Sequence, residues 1–236
     1  MKGFPLLKAK TVWSATVLCL LAGVFPCSRG SAFGQSATKR ASGDLILSAP
    51  EKDLLAEINA LRAHPDKYVT YLEGLKPFFK GKQYQPGKQR SFTTKEGWVA
   101  VEEAIAFLRS VKSPAPLSLS RGLCLAASTH VKDQAGNGAT GHKGSDNSLI
   151  ENRVKPFGAW DGAIGENLSY GNETARDRIL TWLIDDGVAS RGHRKRILSA
   201  DYKVAGLACG PHPEYGVMCV LELAGGFKDS IRKSFH

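Results

Sequence analysis

The sequence predicts an α+β domain. Apolar residues at helical spacing gather early in the chain, and β-prone runs close it on either side of a segment dense in turn residues. With 236 residues the chain is long enough for one domain with a real core, and no internal repeat interrupts it.

The first predicted helix opens at Ser48. Ser48-Ala49-Pro50-Glu51 fits a capping box with proline in the first turn, and Leu54, Leu55, Ile58 and Leu61 follow at helical spacing. His64-Pro65 breaks that helix, and a second, shorter one runs to about Glu73 before Gly74. Residues 76–93 read as a Lys/Gln/Gly-rich connection. Within it, residues 81–89 imitate a phosphate loop but place five residues between the glycines and Gln89 where the metal-binding hydroxyl belongs, so they read as an exposed loop.

Trp98, Val101, Ala104, Ile105 and Leu108 mark a third helix, ended by Ser113-Pro114-Ala115-Pro116. Ser120 caps a fourth that carries Leu123, Ala126, Ala127 and Val131, with His130 on its apolar side as a packed, hydrogen-bonded histidine. Residues 136–165 read as a long irregular stretch of glycine and polar residues, the kind of segment that often carries function. From Thr174, with Asp177 three residues on, another helix runs through Trp182 to stop at Gly187. The flanks of Cys209 and Cys219, "VAGLAC" and "VMCVLEL", form a hairpin across a Gly/Pro-rich turn.

The N-terminus is not part of this core. Lys2, Lys8 and Lys10 precede an apolar run from Thr11 to Phe25, then small and polar residues, which is the layout of a secretory signal peptide over residues 1–34. The run is short for a membrane span of roughly 20 residues. The expected organisation is therefore signal peptide 1–34, flexible tether 35–47, domain 48–228 and basic tail 229–236, in a secreted or extracytoplasmic protein. Removal of residues 1–34 takes away four basic and no acidic residues, leaving 28 basic against 22 acidic, a net charge of +6. That balance favours anionic surfaces, while the absence of an aromatic-interleaved basic stripe argues against nucleic acid. In an oxidising compartment Cys209 and Cys219 are placed for a cross-strand disulfide, whereas Cys124 reads as a small buried hydrophobe.

Three polar clusters remain: Gly141–Asp146, Gly165–Gly171 and the decapeptide "DDGVASRGHR" from Asp185 to Arg194. Each holds a titratable group among glycines or at a helix end, where backbone approaches closely. With their flanks, "LSLSRGLCLAASTHVKDQ", "GHKG", "GENLSYG", "TWLIDDGVASRGHRKRIL" and "KVAGLACG", they resemble the CAP superfamily of cysteine-rich secretory proteins, antigen 5 and plant pathogenesis-related protein 1. The resemblance covers roughly residues 50–227 and implies a three-layer α-β-α sandwich with a central cleft. It implies His142 and His193 as the cleft histidines and Glu166 as the first acid. The second acid falls on Asp185, three residues after Trp182 and one methylene shorter than the family's glutamate, with Asp186 beside it as an alternate. Asp186, Asn167 and Ser190 are expected to support the cleft.

Two imidazoles and two carboxylates suit a divalent metal, zinc first, with the acids ligating or orienting the rings. The resemblance also implies a sterol or fatty acid as partner, and the charge an anionic cell-surface polymer. The chain carries no Gly-x-Ser-x-Gly, His-Glu-x-x-His or Cys-x-x-Cys motif, so a binding role leads. A metal-dependent secreted hydrolase is the alternative. A third reading is an interaction module that uses residues 74–95, with the tetrad purely structural.

Overall fold

The computed structural model describes residues 47–86 and 91–230. The segments read as signal peptide and most of the tether and tail lie outside the described residues. Among the described residues, no helix is long and apolar enough to cross a membrane.

Helices α1 (Ala49–Ala63) and α2 (Pro65–Glu73) meet at His64-Pro65, and the Ser48 N–H donates to the Glu51 carboxylate at 2.7 Å. A 3₁₀ turn (Lys76–Phe78) leads into strands β1 (Phe79–Lys80), β2 (Gln83–Tyr84) and β3 (Phe92–Thr93). Then come α3 (Trp98–Ser110), β4 (Ser118–Leu119), α4 (Arg121–Asn137) and α5 (Ile150–Val154). Strand β5 (Gly158–Tyr170), helices α6 (Ala175–Ile184) and α7 (Gly192–Leu198), and strands β6 (Val204–His212) and β7 (Gly216–Asp229) complete the chain.

The main sheet runs β4-β6-β7-β5, with β4 parallel to β6 and the other pairs antiparallel. Strand β7 lies inside it and is buried on both faces. Cys219, Leu221 and Leu223 pack against α1, α2, α3, α6 and α7, while Met218, Val220 and Ala224 pack towards α4 and α5. Successive side chains of a strand alternate faces, so one strand serves two cores. The result is the α-β-α sandwich. Cys209 and Cys219 sit opposite each other in the β6–β7 register and form a disulfide. Cys124 is buried, which pushes its thiol up to about 12 and leaves it unreactive. Arg62 is buried too, tying α1 to four backbone carbonyls, those of Ala115, Ile197, Ser199 and Tyr202.

The structure departs from the sequence reading in four places. The irregular stretch 136–165 contains α5 and the first half of β5, a glycine-rich edge strand that exists because β7 pairs with it, with a register shift between Asp161 and Ile164. Helix α6 stops at Ile184, not Gly187, because Asp185 turns into the left-handed region at φ 55°. The connection 76–93 holds a small antiparallel sheet, closed by packing of Phe79, Tyr84, Phe92 and Trp98. At the boundaries, Leu47 is buried, and β7 runs through Asp229, whose carboxylate accepts from Ser120 Oγ and the Gly122 N–H.

One buried acid makes the fold pH-sensitive. Burial pushes the Glu173 carboxyl, before α6, up to about 7 against the pull of Arg178, and its Oε2 has no hydrogen-bond partner among the described residues. The folded state therefore holds this proton more tightly than the unfolded chain, whose glutamate titrates near 4.5. The stability linked to that proton is fully present below 4.5 and is lost as pH rises through about 7. Glu173→Gln is expected to stabilise the domain by about 1–2 kcal/mol at alkaline pH and to flatten the pH dependence in that window. Urea titrations across the window check this; parallel curves for variant and wild type would refute it.

Candidate functional site

The site is built around the edge strand β5. Before it, the loop after α4 is fastened at Gly141. The Gly141 carbonyl bonds to His130 Nε2 at 2.9 Å and accepts from Gln134 Nε2 at 2.6 Å, and its N–H donates to the Tyr170 hydroxyl at 2.8 Å. His130 is thus the packed histidine expected, with burial pushing its pKa down. The backbone at Gly141 takes φ 99°, a conformation open to glycine. This anchoring delivers the next side chain, His142, to β5.

His142 Nδ1 lies 2.7 Å from Glu166 Oε1, with the acid buried and the ring half exposed. Arg153 of α5 bonds to Glu166 Oε2, and its Nη1 donates to the carbonyls of His142 (3.0 Å) and Ser148 (3.2 Å). One guanidinium therefore holds both the acid and the backbone of its histidine. Glu222 faces Glu166 across the β5–β7 register, fully buried, with neither carboxyl oxygen hydrogen-bonded among the described residues. Burial, then the Glu166 charge, raises Glu222 well above the usual carboxylate range and favours its neutral form.

The second pair forms between α6 and α7. His193 Nδ1 lies 2.6 Å from Asp185 Oδ1, and Asp185 Oδ2 accepts from the N–H groups of His193 (3.0 Å) and Arg194 (3.3 Å). Asp185 ends one helix in a left-handed turn and caps the next, so the glycine-bearing turn swings His193 back onto the acid. Asn167 supports this pair, donating to the His193 carbonyl at 3.2 Å while its own oxygen meets Arg196 Nη1 at 3.4 Å.

The other two expected residues do different work. The Asp186 carboxylate turns to the N–H groups of Lys95 (2.6 Å) and Glu96 (2.8 Å), fastening the segment before α3. It touches neither histidine, whereas its neighbour Asp185 meets His193. Ser190 is exposed, and its hydroxyl has no hydrogen bond among the described residues. Arg153, Glu222, Gln134 and Tyr170 escaped the sequence reading. The one local signal for the buried acid was its place in the β-prone run "VMCVLEL".

The four principal residues are brought together as two pairs, not as one ligand set. Glu166 and Glu222 lie on the α4–α5 face of the sheet, whereas Asn167 pairs with Leu221 and lies on the opposite face, towards α7. The His142–Glu166 pair is thus tied to β5 through Glu166 itself, and the His193–Asp185 pair through the Asn167 bond to the His193 carbonyl. Among the described residues, no group of three or more His, Cys, Asp or Glu side chains is arranged to hold a metal ion.

Several solved structures are similar to this chain. One is an extracellular SCP-domain protein from Bacillus anthracis, 17% identical with a TM-score of 0.39, where the match covers 53% of this chain and 38% of that one. A second is an outer surface protein from Borrelia burgdorferi, 15% identical with a TM-score of 0.39 over 53% of this chain and 88% of the other. A third, a cysteine-rich secretory protein from Staphylococcus aureus, is 14% identical with a TM-score of 0.36, over 66% and 48%. The chain thus spans less than half the length of the Bacillus and Staphylococcus proteins. No curated protein matches it. These likenesses are partial, and the assignment rests instead on sequence: residues 55–223, which include both His–acid pairs, match the cysteine-rich secretory protein family. The chain belongs to that family, CAP.

Proposed function

We propose that this chain is an extracytoplasmic CAP module that takes up a divalent cation through His142 and His193, with Glu166 and Asp185 orienting the rings instead of ligating. One observation carries the reading. Each imidazole has Nδ1 engaged by a buried carboxylate, and neither Nε2 has a hydrogen-bond partner among the described residues. The carboxylates are already occupied. Glu166 is shared between His142 and Arg153, and Asp185 between the His193 ring and two backbone N–H groups. The donor set therefore fits two imidazole ligands with waters completing the shell, and it does not fit a four-residue cage. Imidazole nitrogens favour zinc and its neighbours, and a carboxylate on the far ring nitrogen fixes the tautomer and raises basicity. Bound zinc supplies a Lewis-acidic position that water or an anionic group can occupy.

Calorimetric titration of zinc into the mature protein tests this. Wild type is expected to bind, and His142→Ala/His193→Ala to lose binding while keeping its circular dichroism. Glu166→Gln and Asp185→Asn are expected to weaken affinity by roughly 10–100-fold, as orienting partners do. No heat in wild type, or equal affinity in the double variant, overturns the reading. The hydrolase alternative would be favoured by ester or peptide turnover that disappears in Glu166→Gln. A sterol or fatty acid has an apolar cavity of about 60 Å³ beside α6, lined by Leu75, Phe79 and Leu180 among others. That is small against the ~300–1,000 Å³ usual for small-molecule sites.

A further inference from the structure

We infer that the small β1–β3 sheet is a docking surface for anionic lipid bilayers, separate from the histidine pairs. Between Glu73 and Glu96 the sequence contains no carboxylate at all. The described part of that segment carries Lys76, Lys80, Lys82 and Lys95, all exposed. Lys76 is spoken for, lying over the Trp98 ring and 3.6 Å from Glu102. Lys80, Lys82 and Lys95 have no ion-pair partner among the described residues, although the chain elsewhere pairs its arginines with Glu57, Glu73, Glu96, Glu103 and Glu166. Basic charge without local acids is what an anionic surface attracts.

Shape and apolarity narrow the partner. Phe79, Tyr84 and Phe92 turn inward and hold the sheet on Trp98, but Phe78 remains 38% exposed at its edge. Phe78, Phe79, Pro77, Lys80, Gln83 and Gln85 line an open hollow of about 570 Å³. A soluble polyanion needs the lysines but gains nothing from an exposed phenyl ring. A bilayer uses both, with phosphate headgroups meeting Lys80 and Lys82 and the ring entering the boundary with the acyl chains. The sheet is also firmly based: the Lys95 and Glu96 N–H groups are held by Asp186, and Thr94 bonds through both its N–H and its hydroxyl to the Lys82 carbonyl.

Vesicle sedimentation of the mature protein tests the inference, using phosphatidylcholine alone and phosphatidylcholine mixed with phosphatidylglycerol. Binding is expected only to the mixed vesicles and is expected to fall with added salt. Lys80→Glu/Lys82→Glu should weaken it at least about 20-fold, since each basic residue at such a surface contributes a factor of roughly five. Phe78→Ser should weaken it several-fold with its salt dependence unchanged. All three positions are exposed, so the variants are expected to keep the wild-type melting temperature. The His142→Ala/His193→Ala protein should bind as wild type does, which separates this surface from the proposed cation site. Equal binding to neutral vesicles, or full retention by the lysine variant, overturns the inference. So does loss of vesicle binding to soluble polyphosphate together with an unaffected Phe78→Ser, which would make the surface a polyanion site.

Discussion

Gly206→Ala is expected to destabilise the domain by about 3 kcal/mol, the upper end of what forced overpacking costs. A Cβ at this position would lie 2.2 Å from Leu123 C and 2.3 Å from Cys124 N, both in the backbone of α4. No side chain can rotate aside, so α4 must lift from β6 or the sheet must bend. The small gain from restricting the unfolded chain, about 0.4–1 kcal/mol, does not offset this. A fall of roughly 6–12 °C in Tm is expected, given about 2–4 °C per kcal/mol for domains of this size. Gly136→Ala is the control in the same helix, because a Cβ there meets nothing within 4 Å. It should stabilise by about 0.5–1 kcal/mol. A Gly206→Ala protein that melts with wild type would show that α4 does not rest on β6 as described.

Arg191→Met is expected to cost about 3 kcal/mol and to damage the His193 side of the site with it. The guanidinium joins Glu96 and Glu103, at contacts down to 2.6 Å, to the carbonyls of Asp185 (2.8 Å) and Val188 (3.3 Å). It therefore clamps α3 against the turn that positions Asp185. Methionine keeps the aliphatic packing and loses every one of these bonds. The figure sits at the low end for breaking a buried pair, because the two glutamates are a third to a half exposed. Hydrogen bonds from Arg191, then from the Gly187 N–H, hold Glu96 down to about 2, and its folded value thus lies below its unfolded one. That stabilisation is present above pH 4.5 and is lost as pH falls towards about 2. The variant should flatten this acid limb in a chemical denaturation series and bind zinc more weakly than wild type. An unchanged acid limb would mean that the Arg191–Glu96 pair does not form in solution.

The elements legible in the sequence are those whose signals are local. Ser120 accepts from the Leu123 N–H and Thr174 from the Asp177 N–H, so those helix starts are written within four residues. The Cys209–Cys219 hairpin likewise follows from strands joined by a short turn. Strand β5 was not legible because its residues, "GAWDGAIGENLSY", have little β-branching and gain their order from β7, whose paired residues lie 48 to 71 positions later in the chain. The small β1–β3 sheet was missed for a similar reason. Its strands are two residues long, and an aromatic cluster with Trp98 holds them, not propensity.

The candidate site divides along the same line. The histidines and acids stood out because their glycine-flanked motifs are contiguous and resemble those of a known family. Arg153 and Glu222 did not, since an arginine and a glutamate in sequence read as solvated charges until burial is known. By itself the sequence determined the starts of α1, α4 and α6, the cysteine hairpin, the family and the candidate histidines and acids, because capping, periodicity and motif spacing act over a few residues. Only the tertiary structure decided that Asp185 and not Asp186 meets His193, and that the four residues form two His–acid pairs. Those outcomes depend on strand register and on the alternation of side chains across a sheet, which pairing between distant segments sets.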